Sequence, residues 1–100
     1  MIKLEEFSYN DEVILTIGFD DKDNSVVLID KNNNKVSLGS NGISFTSVGE
    51  INIKSQGNIT IDGLSIAINA ENSLTAKGIA SAELSSSGQS KVKGALVMIN

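Results

Sequence analysis

The chain has no cysteine, histidine, proline or tryptophan among its 100 residues. Without cysteine, neither a disulfide framework nor a thiolate metal site can hold the fold together. Without histidine, the commonest general base and the commonest metal ligand are both missing. We therefore expect no cofactor, no bound metal and no enzymatic activity.

The charge balance argues against two classes of partner. The net charge is -4 at pH 7 and the sequence pI is about 4.6. Phosphate backbones and anionic lipid surfaces attract an excess of lysine and arginine, so an acidic chain is repelled by both. We expect no nucleic-acid binding. No apolar run approaches the length of roughly 20 residues that a membrane span needs.

The residues that are abundant favour β-structure. The chain contains 13 isoleucines, 7 valines and 4 threonines. Their branched Cβ atoms fit a pleated surface better than a helix turn. An all-β fold is the expected class.

An eight-residue repeat begins near residue 43. Apolar pairs separated by one residue recur with a spacing of eight, and the spacing contracts by one residue before Ile66 and again across Gly94. Alternation of period two indicates short strands with one buried face, and the polar remainder of each unit is typical of a corner. Glycines stand close to the pairs, and we expect them to adopt positive φ at these corners. The apolar positions predicted to form a core are Ile43, Phe45, Ile51, Ile53, Ile59, Ile61, Ile66, Ile68, Leu74 and Leu84.

The repeat is too short to bury its own apolar face. If three units make one triangular turn of about 24 residues, one chain supplies only about two layers, spaced about 4.8 Å apart. Two stacked strands are marginal in water and leave both edges bare. Three chains wound around a common axis would fill the gaps between one another's layers. We therefore predict an intertwined homotrimeric β-helix in the form of a triangular prism.

Residues 1–38 are less regular. Val13–Phe19 and Val26–Ile29 are predicted strands, Lys31–Lys35 a hairpin turn, and Val36–Leu38 a candidate first rung. This strand and hairpin region is expected to lead into a needle formed by residues 39–100.

Two segments carry a resemblance to a known family. An Asp-Lys-Asn-Asn-Asn turn at residues 30–34 leads to Val36-Ser-Leu and on to Ile43-x-Phe, Ile51-Asn-Ile-Lys and Ile59-Thr-Ile. The tail is Ser85-Ser-Ser-Gly-Gln-Ser-Lys-Val-Lys-Gly-Ala-Leu-Val-Met-Ile-Asn100. Over about residues 13–100 the chain resembles the C-terminal needle of the VgrG and phage central-spike proteins, and the last 16 residues are the most specific part.

The resemblance implies a membrane-piercing spike of a contractile injection system, of the type VI secretion or phage-tail-like kind. It implies assembly in the bacterial cytoplasm or on a phage particle, connection to the tail tube and baseplate through upstream parts of a longer protein, and mechanical delivery outside the cell or into a target cell. The blunt end would receive a conical PAAR-repeat cap, and the matching tip residues here are Val97, Met98, Ile99 and Asn100.

Other interpretations of single features stay open. A monomeric β-solenoid or sandwich that binds carbohydrate or belongs to an adhesin is the alternative to the spike, although the chain has only 4 aromatic residues for a sugar platform. Asp20, Asp21, Asp23 and Asn24 invite a calcium site, but their spacing departs from the EF-hand pattern and predicts a solvated acidic turn. The serines at 85–87 and 90 have no histidine base and are predicted to form corners.

Overall fold

Five strands form one antiparallel sheet in the first half of the chain. The computed structural model describes residues 2–20 and 24–100, with the side chains of 5–19 and 24–100. The strands are β1 (Ile2–Tyr9), β2 (Glu12–Asp20), β3 (Ser25–Asp30), β4 (Lys35–Gly39) and β5 (Gly42–Thr46). Their spatial order follows their order in the sequence. The described residues contain no helix, so the all-β prediction is confirmed.

Short turns connect neighbouring strands, and several depend on residues that tolerate a positive φ. Asn10 and Asp11 join β1 to β2 with φ of 51° and 61°, as a two-residue hairpin of the mirror-image kind requires. Asn33 has a φ of 71° in the turn between β3 and β4. The predicted hairpin turn at Lys31–Lys35 is confirmed, with Lys35 already the first residue of β4.

The predicted strands agree with β2 and β3 to within one residue at each end. Two features differ from the sequence analysis. Ile2–Tyr9 was assigned no strand, yet it forms β1, with register shifts after Lys3 and after Phe7. Val36–Leu38, the candidate first rung, lies inside β4 and pairs with β3 and β5.

The register of the sheet gathers its apolar side chains into rows on one face. Side chains alternate between the two faces of a strand, so residues that oppose each other across the ladder share a face. The two rows that cross β2, β3, β4 and β5 are Ile17–Leu28–Val36–Phe45 and Phe19–Val26–Leu38–Ile43. None of these eight side chains is fully buried. We call this surface the apolar sheet face, and four of its side chains are exposed: Val26, Leu38, Ile43 and Phe45.

The opposite face is mostly polar. One of its rows runs Gly18–Val27–Ser37–Ser44. Val27, on the central strand, is the one buried apolar side chain of the described residues, with 8% of its surface exposed. A chain of this size normally buries many apolar side chains, so the described residues contain little apolar core of their own.

The chain after β5 bends at regular intervals. Residues 47–100 are all described, and they form no strand and no backbone–backbone hydrogen bond with one another. The backbone bends at 48–49, 56–57, 64, 71–72, 79–80, 87–88 and 95. The bends are therefore about eight residues apart, which is the period of the apolar pairs.

The chain divides into two units, one ending at Ile59 and the other running from Thr60 to Asn100. The first contains the sheet and the first two bends, and the second contains the remaining bends. The predicted division into residues 1–38 and 39–100 was based on the repeat pattern, and it stays a prediction.

Candidate assembly surfaces

A hydrogen-bonded turn closes the β3–β4 hairpin. Asp30 Oδ1 accepts hydrogen bonds from the backbone N–H groups of Asn32 (2.9 Å) and Asn34 (2.8 Å), and its Oδ2 accepts one from Asn34 Nδ2 (2.9 Å). The hydrogen bond from the Asn34 side chain is the largest of the effects that lower the pKa of Asp30, followed by those from the backbone N–H groups and the nearby charge of Lys31. The carboxylate organises the turn as an acceptor of three donors.

The same turn contacts the start of the repeats. Asn34 Oδ1 accepts a hydrogen bond from the backbone N–H of Val48, at 2.9 Å. Val48 lies in the first bend after β5. One asparagine amide therefore ties the β3–β4 hairpin to the first corner of the repeating segment.

Three corners share a serine motif that the sequence analysis did not identify as a pattern. Ser47, Ser55 and Ser86 each accept a hydrogen bond through Oγ from the backbone N–H of the glycine two residues later, all at 3.1 Å. Ser47 also donates to the backbone carbonyl of Glu50, at 3.0 Å. The prediction that the serine cluster forms a corner is confirmed for Ser86. The repeated Ser-x-Gly spacing is the signal that would have identified these corners.

The backbone conformations of the corner glycines differ from the prediction. Positive φ was expected at the corner glycines, but Gly42, with φ of 115°, is the one glycine of the described residues in that region. The prediction is wrong for Gly49, Gly57, Gly63, Gly78, Gly88 and Gly94. At Gly78 the reason for glycine is a close approach, because a Cβ there would overlap the carbonyl oxygen of Ser81 and lie 2.9 Å from its carbonyl carbon.

All ten predicted core residues are exposed in the single chain, with between 53% and 85% of their surface accessible. Ile43 and Phe45 lie on β5, at the edge of the apolar sheet face. The other eight lie on the segments between bends, to which no strand is assigned. Full burial of one such side chain contributes roughly 1.5–3 kcal/mol, so this set is a large source of binding free energy.

The predicted tip is also exposed. Met98 is 84% accessible and Ile99 92%, while Val97 is about half covered and Asn100 is exposed. The neighbouring Leu96 is 79% accessible and was not part of the predicted tip. The final segment thus presents several apolar side chains to solvent.

No protein-family model matches this chain, and no curated protein matches it. Its role must therefore be argued from the surfaces themselves. Among the described side chains, at 5–19 and 24–100, no three His, Cys, Asp or Glu cluster to hold a metal, and no described helix has the length and apolar character to cross a bilayer. The aspartates of the suggested calcium loop at 21 and 23 lie outside the described residues.

One shallow, open depression lies on the sheet where β4 turns into β5, with serine hydroxyls and backbone on most of its wall. Its lining residues are Ser25, Ser37, Gly39, Ser40, Asn41, Gly42, Ile43 and Ser44. It contains no titratable side chain. The extended apolar surfaces are therefore a better candidate for function than this depression.

Proposed function

We propose that the chain is a structural, non-enzymatic spike: an intertwined homotrimer whose three chains form a triangular β-helical prism, used by a contractile injection system to cross a target membrane mechanically. The observation that carries this proposal is the agreement of three features in residues 47–100. Bends recur about every eight residues, apolar pairs recur with the same period, and the segments between bends form no backbone–backbone hydrogen bonds with one another.

Backbone groups that are buried in a folded assembly need hydrogen-bond partners. In a coil of three chains, the next layer of the same chain is about 24 residues away, roughly 14 Å along the axis at three strand spacings, so a chain wound at this pitch cannot supply these partners itself. Two further copies would place one strand in each of the two intervening positions. The apolar pairs of all three chains would then face a common interior.

The apolar sheet face supports the same assembly. A five-stranded single-layer sheet with two apolar rows on one surface is not stable in water without a covering layer. Since β5 leads directly into the first corner, and Asn34 holds that corner next to the β3–β4 turn, the sheet and the repeats would join the same trimer.

The family resemblance of the tail supplies the cellular role. In this proposal the sheath of the machine provides force, upstream parts of a longer protein connect to the tail tube and baseplate, and the Val97–Asn100 end receives a PAAR-type cap. Assembly would take place in the bacterial cytoplasm or on a phage particle. A closed prism without free lateral edges suits this role, because it resists both aggregation and compression.

The deciding experiment is the mass of the full chain in solution by light scattering. A stable mass near three times 10.5 kDa is the expected result. A monomer at micromolar concentration would overturn the proposal and favour the monomeric β-solenoid or adhesin alternative. Far-ultraviolet circular dichroism of the same sample checks that the protein is folded with β-structure.

A further inference from the structure

Charge is distributed unevenly along the chain. All 12 acidic side chains lie at or before Glu83, together with six lysines. The 17 residues that follow contain no acidic side chain and two lysines, Lys91 and Lys93. An otherwise acidic protein therefore has side chains of only positive charge in its last segment.

The two lysines are placed alike. They flank Val92 between the bends at 87–88 and 95, so in the strand that the proposed β-helix requires both side chains would project to the side opposite Val92. Both are exposed, and neither forms an ion pair or a hydrogen bond within the described part of the chain. Their positive charge is available to a partner.

Apolar side chains follow directly. Leu96, Met98 and Ile99 are between 79% and 92% accessible. Protein interfaces commonly combine an apolar centre with a polar or charged rim, and methionine is enriched in such centres. The segment from Lys91 to Ile99 supplies both components within nine residues.

We propose that the C-terminal end is a docking surface for a protein partner with an apolar centre and an acidic rim, and that Lys91 and Lys93 are the residues that select it. The proposal rests on the trimer proposed above, in which three copies place six ammonium groups around a shared apolar end. Charges at a rim act mainly on the association rate and on the rejection of wrong partners, and salt weakens their effect.

A protein partner fits better than an anionic membrane. The first 83 residues carry 12 acidic side chains and six lysines, so the chain as a whole is repelled by an anionic bilayer. A protein partner bound at the last segment meets a stretch whose only charged side chains are the two lysines.

The test uses the full chain and a fluorescent peptide of about 20 glutamates as the acidic probe, with binding measured by anisotropy at about 20 mM and about 200 mM salt. Because the net charge of the chain is -4, binding of a polyanion requires locally concentrated positive charge. We expect binding at low salt that weakens about tenfold or more at the higher salt. A second peptide with several glutamates replaced by leucine should bind more tightly, since the tip is apolar.

Matched variants identify the surface. Lys91→Glu/Lys93→Glu should abolish binding, and the milder Lys91→Gln/Lys93→Gln should weaken it strongly. Lys54→Glu/Lys77→Glu changes the net charge by the same amount elsewhere and should leave binding within about twofold of the unaltered chain. Vesicles of phosphatidylcholine with and without phosphatidylserine provide the lipid comparison, and we expect no binding to either.

Three results would overturn the inference: no binding of either peptide at low salt, equal loss in the Lys54/Lys77 variant, or stronger binding to phosphatidylserine vesicles than to the peptides. A leucine-containing peptide that binds no better than polyglutamate would refute the apolar centre. Light scattering on every sample reports the trimer separately. A trimeric mass without peptide binding refutes only the docking inference, whereas a monomeric mass refutes the proposed spike.

Discussion

The side-chain oxygen of Asn34 accepts a hydrogen bond from the backbone N–H of Val48, 2.9 Å away, while its amide nitrogen donates to Asp30. Both ends of one amide are thus used, one within the β3–β4 turn and the other on the first corner of the repeats. This residue determines where the extended segment leaves the sheet. If the chain forms a rod, the first layer begins at a position set by Asn34.

Asn34→Ala should therefore destabilise the protein. It removes two side-chain hydrogen bonds in a partly buried turn, and at about 0.5–1.5 kcal/mol for each bond the expected loss is about 1–3 kcal/mol. Urea unfolding followed by circular dichroism measures it. Asn32→Ala is the matched control, because Asn32 contributes only its backbone N–H to the turn. Equal losses in the two variants would show that the side chain of Asn34 does not hold the corner.

The stability of this turn should depend on pH, because protonation of Asp30 weakens its role as a hydrogen-bond acceptor. Its pKa is lowered from the ordinary value of 3.8, first by the hydrogen bond from the Asn34 side chain. A carboxyl with a lower pKa in the folded state contributes stability that is fully present above the unfolded value, and this contribution is lost as the pH falls through the folded pKa. Asp30→Asn removes the titrating group.

The measurement is urea unfolding of the unaltered chain and of Asp30→Asn between about pH 6 and about pH 2. We expect the unaltered chain to be the more stable at the upper end, and the difference to shrink below pH 3.8. A difference that stays constant over the whole range would mean that the charge of Asp30 makes no contribution. Asn34→Ala should also reduce the acid dependence, because the Asn34 side chain is the main cause of the lowered pKa.

Local patterns predicted the elements of the sheet well. Val13–Phe19 and Val26–Ile29 have dense β-branched and aromatic residues, and the asparagines at 32–34 allow the positive φ that the turn needs. β1 was missed because Glu5 and Glu6 interrupt its alternation and its pairing contains two register shifts. β1 forms because the turn at Asn10 and Asp11 brings it alongside β2, with which it pairs. The alternation of apolar and polar residues within β1 indicates neither the turn nor the pairing.

The repeat was visible in the sequence for a physical reason. In the proposed β-helix, short strands with one apolar face would impose a period of two within each unit, and a fixed unit length would impose the period of eight. The spacing of the observed bends agrees with it. The corners themselves were less predictable. Glycine was expected to supply positive φ, whereas Ser55 and Ser86 close their corners by accepting the glycine N–H, and Gly78 is needed to avoid a backbone overlap.

That close approach makes Gly78 a sensitive position. Gly78→Ala would place a methyl group against the carbonyl of Ser81, and the backbone between them would have to open. Overpacking of this kind costs about 1–3 kcal/mol. The control is Gly88→Ala, where the nearest atom to the new methyl is Ser86 Oγ at an ordinary 3.9 Å. The midpoint of thermal unfolding should be clearly lower for Gly78→Ala and nearly unchanged for Gly88→Ala. Similar midpoints for the two variants would contradict the role assigned to Gly78.

Ile53→Asp separates assembly from the folding of one chain. Ile53 is 74% exposed in the single chain, so a carboxylate there meets water and costs little if the protein is a monomer. In the proposed trimer the same substitution brings three carboxylates close to one axis, where unpaired buried charge is strongly unfavourable. We expect light scattering to show loss of the trimer. Lys54→Asp is the control, since the adjacent side chain projects to the opposite side of the strand and should tolerate the same carboxylate. An unchanged mass and circular dichroism spectrum in Ile53→Asp would mean that Ile53 does not face a shared interior, and the trimeric prism would have to be abandoned.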